Sequence, residues 1–118
     1  MTNKKNSPFI LEVSFFKSEI GNEPVRDWLK GFTLEQKKRI GEDIKTVQFG
    51  WPIGMPVVRK MENGLWEVRS KIDNGIARVL FTVVDDTMVL LHGFIKKSQK
   101  TPKGDIETAR SRKKIVHN

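Results

Sequence analysis

The chain contains no cysteine. Disulfides and thiolate metal sites are therefore excluded, and a reducing cytoplasm is the compatible setting. Its only histidines are His92 and His117, and no metal-ligand spacing surrounds them. No apolar run approaches the roughly 18 residues that cross a bilayer, so no membrane association is expected. The segment FILEVSFF is interrupted by Glu12 and lacks a following small-residue cleavage site. It reads as a strand, not a signal peptide. There is no glycine-rich phosphate loop and no nucleophile elbow. These exclusions leave a reaction without metal or cofactor, or binding alone.

What the chain does have is placed basic charge. Its 118 residues make one ordinary domain, and 37% apolar residues are enough for a core. The formal net charge is +8. From Lys96 to Asn118 there are eight Lys and Arg against Asp105 and Glu107, so that segment carries +6 of the total. Charge concentrated in this way points to a polyanionic partner: nucleic acid, the ribosome or an acidic protein.

Periodicity gives an order of elements. Residues 1–7 read as a flexible tail, and Phe9 to Phe16 as a strand. Val25, Trp28, Leu29 and Phe32 share one helical face, with Gly31 weakening the end of that helix. Thr33 with Gln36 forms a capping-box signature for a second helix, whose buried stripe is Ile40, Ile44 and Val47. The short turn between the two predicts a helical hairpin. Turn signals at Asn63-Gly64, Asn74-Gly75 and Asp85-Asp86 then separate strands at Val57–Met61, Leu65–Ile72, Ile76–Val84 and Thr87–Lys97. Asn-Gly between apolar runs favours a type I′ turn. The expectation is an α+β domain with a four-stranded antiparallel meander. The helices cover one face and a shallow cleft lies on the other. Thr101-Pro102 predicts a cap followed by proline at the first position of a short C-terminal helix. In that helix Ile106 and Ala109 face inward and Arg110, Arg112, Lys113 and Lys114 are mostly solvated.

Alternation along the strands sorts the charges. Glu67, Arg69 and Lys71 share a face, and Arg78 stands opposite the face of Ala77, Val79, Phe81 and Val83. Arg69 and Arg78 are nearly symmetric about the Asn74-Gly75 turn. His92, Phe94 and Lys96 share one face of the last strand, with Leu91, Ile95 and Lys97 on the other. If His92 and Lys96 are on the open face, they join Glu67, Arg69 and Arg78 in a cationic floor rimmed by the lysines from Lys97 to Lys103. Such a floor suits phosphate, because arginine offers a planar fork and lysine a mobile point charge. It would also stabilise a pentavalent phosphorus transition state, and crowding could supply a neutral lysine as base. Simpler readings stand beside these. Arg69 and Arg78 can be solubilising, Glu67 a salt-bridge partner, His92 structural, Arg110 to Lys114 a solvated helix end, and Trp28, Trp51 and Trp66 core residues.

The pieces GLWEVRS, IARVLF, MVLLHGF and IKKSQKTP, followed by a helix with ETARSR, resemble the phage-related, HigB-like branch of the RelE/ParE toxin superfamily. The resemblance runs from about Phe9 to Arg112. It implies a RelE-like fold in which an N-terminal strand pairs at the sheet edge. It implies a toxin of a type II toxin–antitoxin system that cleaves mRNA on the ribosome by metal-independent 2′-hydroxyl attack. It implies a cognate antitoxin, often a helix-turn-helix protein, and charge suggests an acidic contact segment on it. The catalytic candidates are Glu67, Arg69, Arg78, His92, Lys96 and Lys97. The nucleic-acid-binding candidates are Lys71, Lys100, Lys103, Arg110, Arg112, Lys113 and Lys114. Relatives that cut mRNA often carry a tyrosine or histidine near the C-terminal end of the site. This chain has no tyrosine, which leaves Glu67, a lysine and His92 as the acid or base. Two other outcomes remain open: a non-catalytic poison of DNA gyrase, as in the ParE branch, and a non-toxic basic nucleic-acid-binding protein.

Overall fold

The computed structural model describes residues 10–73, 75–96 and 102–118. The expected tail at 1–7, Asn74, and Lys97, Lys100 and Thr101 lie outside the described residues. Five strands and three helices follow in the order β1 (Glu12–Phe15), α1 (Pro24–Leu29), α2 (Leu34–Gly50), β2 (Val58–Glu62), β3 (Leu65–Ile72), β4 (Gly75–Val84), β5 (Thr87–Lys96) and α3 (Lys103–Val116). The strands form one sheet in the order β1-β5-β4-β3-β2. Strands β2 to β5 make the expected antiparallel meander, and β1 joins β5 in parallel at the edge.

Local chemistry explains where the helices begin. Thr33 Oγ1 accepts from the Gln36 backbone N–H at 3.1 Å, and Gln36 Oε1 accepts from the Thr33 N–H at 3.0 Å. Two donors at the start of α2 are satisfied by this reciprocal cap. Helix α1 is only six residues long and begins with Pro24, whose missing N–H costs nothing there. Both apolar stripes point at the sheet. Ile40, Ile44 and Val47 of α2 join Val68, Val79 and Phe81 in one core cluster. The two helices are joined by the short turn expected, but each has the sheet as its principal partner: α2 packs on β3, and α1 on β5 and β1.

Trp28 of α1 lies flat against Gly93 of β5, so close that a Cβ at position 93 would overlap the indole ring. Trp51 and Trp66 cluster edge to face at 4.8 Å and pack with Phe81. All three tryptophans are packed against the core.

The structure corrects four expectations. Among the residues of the β2–β3 turn only Gly64 has positive φ, at 76°, so this is not a type I′ turn. A register shift between Lys60 and Glu62 takes up the difference. The second sheet face is not an open cleft along its length, because α3 packs on β5 and β4 there. Leu65, Leu80, Val89, Leu91, Phe94 and Ala109 form a second core cluster on that side. Pro102 is the N-cap of α3 rather than its first residue, and Lys103 begins the helix. A β-bulge explains why Leu91 and His92 break strict alternation. Leu80 pairs with His92 and Phe81 with Leu90, so Leu91 is the extra residue and both side chains meet the α3 side.

Gly93→Ala should lower stability by about 1–3 kcal/mol through overpacking. Chemical denaturation monitored by tryptophan fluorescence measures it, and a Trp28→Phe background should reduce the loss.

A candidate cationic site on the sheet

Register assembles the site in rows across three strands. Lys71 pairs with Ile76 and Ile76 with Lys96. Arg69 pairs with Arg78 and Arg78 with Phe94. Glu67 pairs with Leu80 and Leu80 with His92. Glu67, Arg69, Lys71, Arg78, His92 and Lys96 thus share one face of the sheet.

The floor is not the exposed cationic surface that alternation suggests. Arg78 and Glu67 are both fully buried. An arginine nitrogen of Arg78 donates to Glu67 Oε1 at 3.1 Å. Arg69 Nε stands 3.9 Å from the same oxygen, and the Arg69 side chain is 19% exposed. One carboxylate therefore serves two guanidiniums. This disposes of the reading of Arg78 as a solubilising residue, and it encloses Glu67 too fully to touch a substrate directly. The partly exposed members of the site are Arg69, His92 and Lys96, with Lys71 exposed beside them.

His92 has a partner that periodicity did not reveal. Its Nε2 lies 2.5 Å from Asp105 Oδ1, in the first turn of α3. Its ring stacks on Phe94 with centroids 5.8 Å apart. Asp105 could have been suspected only as an acid in the helix turn that follows the basic segment. Nothing in its spacing aims it at β5.

Part of the later basic cluster is engaged in holding α3: Arg110 and Lys114 are exposed, as expected, whereas Arg112 and Lys113 are part-buried, which corrects the expectation for those two. Arg110 makes a two-pronged contact with Glu62, Nε at 2.9 Å and a terminal nitrogen at 2.7 Å. Arg112 donates to the Leu91 carbonyl at 2.8 Å and lies over the Phe16 ring. Burial pushes its guanidinium below the ordinary arginine value. Lys113 donates to the Asn63 carbonyl at 2.9 Å. His117 is tied to the sheet: its Nε2 lies 2.9 Å from Thr82 Oγ1. Thr82 gives its one hydroxyl hydrogen to the Gly64 carbonyl at 2.6 Å, so the imidazole N–H is the donor to it. Lys103 and Lys114 remain exposed.

An open groove remains at the end of β3 that runs past β2. It has a volume of about 380 Å³ and is lined by Arg39, Asp43, Pro56, Val57, Arg69, Lys71 and Ile76. Arg69 and Lys71 were expected at a site, whereas Arg39, from α2, was missed. On the sequence it is one charged residue among several on the wet side of a helix, and its i, i+4 relation to Asp43 is the only signal it carries.

The model of the family described as "Phage derived protein Gp49-like (DUF891)" matches residues 27–114. No curated protein matches the chain.

Two outcomes follow from this geometry. Arg78→Ala or Glu67→Ala strands a buried charge and should cost about 3–5 kcal/mol, whereas replacing the pair by Met and Leu together should restore most of that loss; urea denaturation of the three variants checks this. The Arg110 hydrogen bond holds the Glu62 carboxyl below its ordinary value of 4.5. Its contribution is therefore present above that value and lost as pH falls through the lower, folded-state value. Hydrogen exchange in α3 should quicken in that acid range, and Glu62→Gln should remove the pH dependence.

Proposed function

The chain belongs to the Gp49-like family of phage-derived, toxin-like proteins, and from that membership we propose that it is the toxin of a type II toxin–antitoxin system, a ribosome-dependent mRNA endoribonuclease of the HigB-like branch of the RelE/ParE superfamily. The observation that carries the enzymatic reading is the register. It gathers Arg69, Lys71 and Lys96 at one end of one sheet face, beside an open groove.

The reaction is transfer of a phosphodiester within RNA. The 2′-oxygen attacks the adjacent phosphorus and the bond from phosphorus to the 5′-oxygen breaks. The products are a 2′,3′-cyclic phosphate and a 5′-hydroxyl. The proton lost from the 2′-hydroxyl goes to a base, and an acid returns one to the leaving 5′-oxygen. Arg69 and Lys96 stabilise the additional negative charge on the phosphoryl oxygens, with Lys97 and Lys100 following in the chain. His92 is a part-exposed imidazole on this face, held by Asp105, and we assign it to proton transfer. Glu67 and Arg78 act from beneath, by fixing the position of Arg69. The cytoplasm is the site of action. The partners are the ribosome, mRNA and an antitoxin, a helix-turn-helix protein whose acidic segment would be attracted by a net charge of +8.

Arg69→Ala is the informative variant, since the buried Arg78 cannot be removed without disturbing the fold. It should lower cleavage of ribosome-bound mRNA by about 10²-fold or more and relieve growth arrest, with thermal stability little changed. Full toxicity in this variant defeats the assignment of the site. Pulse labelling on induction should show translation stopping before DNA replication; the reverse order with altered supercoiling would mean a gyrase poison instead.

A further inference from the structure

The groove between α2 and the free end of β3 carries more than the catalytic assignment uses. We infer that it is a ribonucleotide subsite in which Arg39 of α2 holds a backbone phosphate opposite Arg69 and Lys71; the inference rests on the RNA reading proposed above.

Three features of the groove point to this ligand. First, Arg39, Arg69 and Lys71 line it against a single carboxylate, Asp43, so the local balance is cationic. A neighbouring depression shares Arg39 and Lys71 but adds Glu35 and Asp73. Its charges cancel, which assigns the phosphate to the first groove. Second, the arginines are held but not saturated. Arg69 Nε is enclosed and has no hydrogen-bond partner among the described residues, with only the Glu67 charge 3.9 Å away. Arg39 pairs with Asp43 at 3.6 Å through its Nε, and its own side chain is 55% exposed. The fork of Arg39 is thus oriented at its base, and a phosphate oxygen is the acceptor that suits its terminal nitrogens. Third, the remaining wall is apolar, formed by Pro56, Val57 and Ile76. It would cover the sugar and base of one nucleotide without reading the base. The groove's size is at the small end of ligand sites. Asp43 is the one carboxylate among the residues lining the groove, and a ribose 2′-hydroxyl is a donor matched to it, which is how a protein separates RNA from DNA.

The row Lys71, Ile76, Lys96 makes the groove continuous with the proposed reaction centre. Arg39 contacts a neighbouring phosphate and is a binding residue, not a catalytic one.

Fluorescence anisotropy with the full chain tests this, using labelled tetrauridylate and its deoxy counterpart at two salt concentrations. Arg39→Ala should weaken tetrauridylate binding about tenfold, the effect of one lost charged hydrogen bond, and lower the salt slope by about one. Asp43→Asn should erase the preference for the ribose form. Lys37→Ala, at an exposed lysine elsewhere on α2, should change little. Unaltered binding by Arg39→Ala, an equal loss in Lys37→Ala, or no binding of either probe by the native chain overturns the subsite. If the native chain cleaves mRNA on ribosomes while Arg39→Ala binds normally, the subsite fails and the nuclease reading stands. If Arg39-dependent binding occurs without any cleavage, the subsite stands and the nuclease reading fails.

Discussion

The buried pair of Glu67 and Arg78 is the constraint around which this sheet is organised. Register places Arg69 directly across from Arg78, and like charges facing each other on neighbouring strands repel. Glu67 resolves the conflict. It lies on the same face, one row away, and its Oε1 is 3.1 Å from one guanidinium and 3.9 Å from the other. A full charge without exposure is tolerable only with a close partner. The pair therefore ties β3 to β4 at a fixed register and gives Arg69 a defined place at the edge of the buried region.

The C-terminal helix converts much of that face from a surface into an interior. Its own buried apolar contribution is small, since Ala109 is its one fully buried residue. Polar attachments do the rest. Asp105 meets His92 near the start of α3, Arg110 and Lys113 meet the β2–β3 turn, Arg112 caps the Leu91 carbonyl, and His117 reaches Thr82. The helix is pinned along its whole length to strands that belong to the meander. Lysines in its last turn also suit the negative end of the helix dipole. Much of the tail's positive charge is consequently a fastening, while Lys103 and Lys114 stay exposed.

The division between fastening and function could not be read from residue types. Arg69 and Arg78 differ by parity from their strand neighbours in the same way, yet one is enclosed and the other reaches a groove. The difference arises because β2 pairs with β3 only as far as Val68, leaving Arg69 and Lys71 beside Val57 and α2. Similarly, Arg110 and Lys114 look equivalent on a helical wheel. Only Glu62, brought near by the hairpin turn, distinguishes them.

The sequence by itself determined the element order, the meander, the capping box at Thr33 and the α2 stripe of Ile40, Ile44 and Val47. It also determined which charged side chains share a sheet face. Each of these depends on local dihedral preferences or on periods of two and 3.6 residues, which neighbours along the chain set. Only the tertiary structure decided that Arg78 and Glu67 are buried, that Asp105 meets His92, and that Arg39 joins Arg69 and Lys71. Those facts depend on where α2 and α3 dock against the sheet. Docking is the outcome of packing and charge compensation between segments tens of residues apart, for which no local pattern exists.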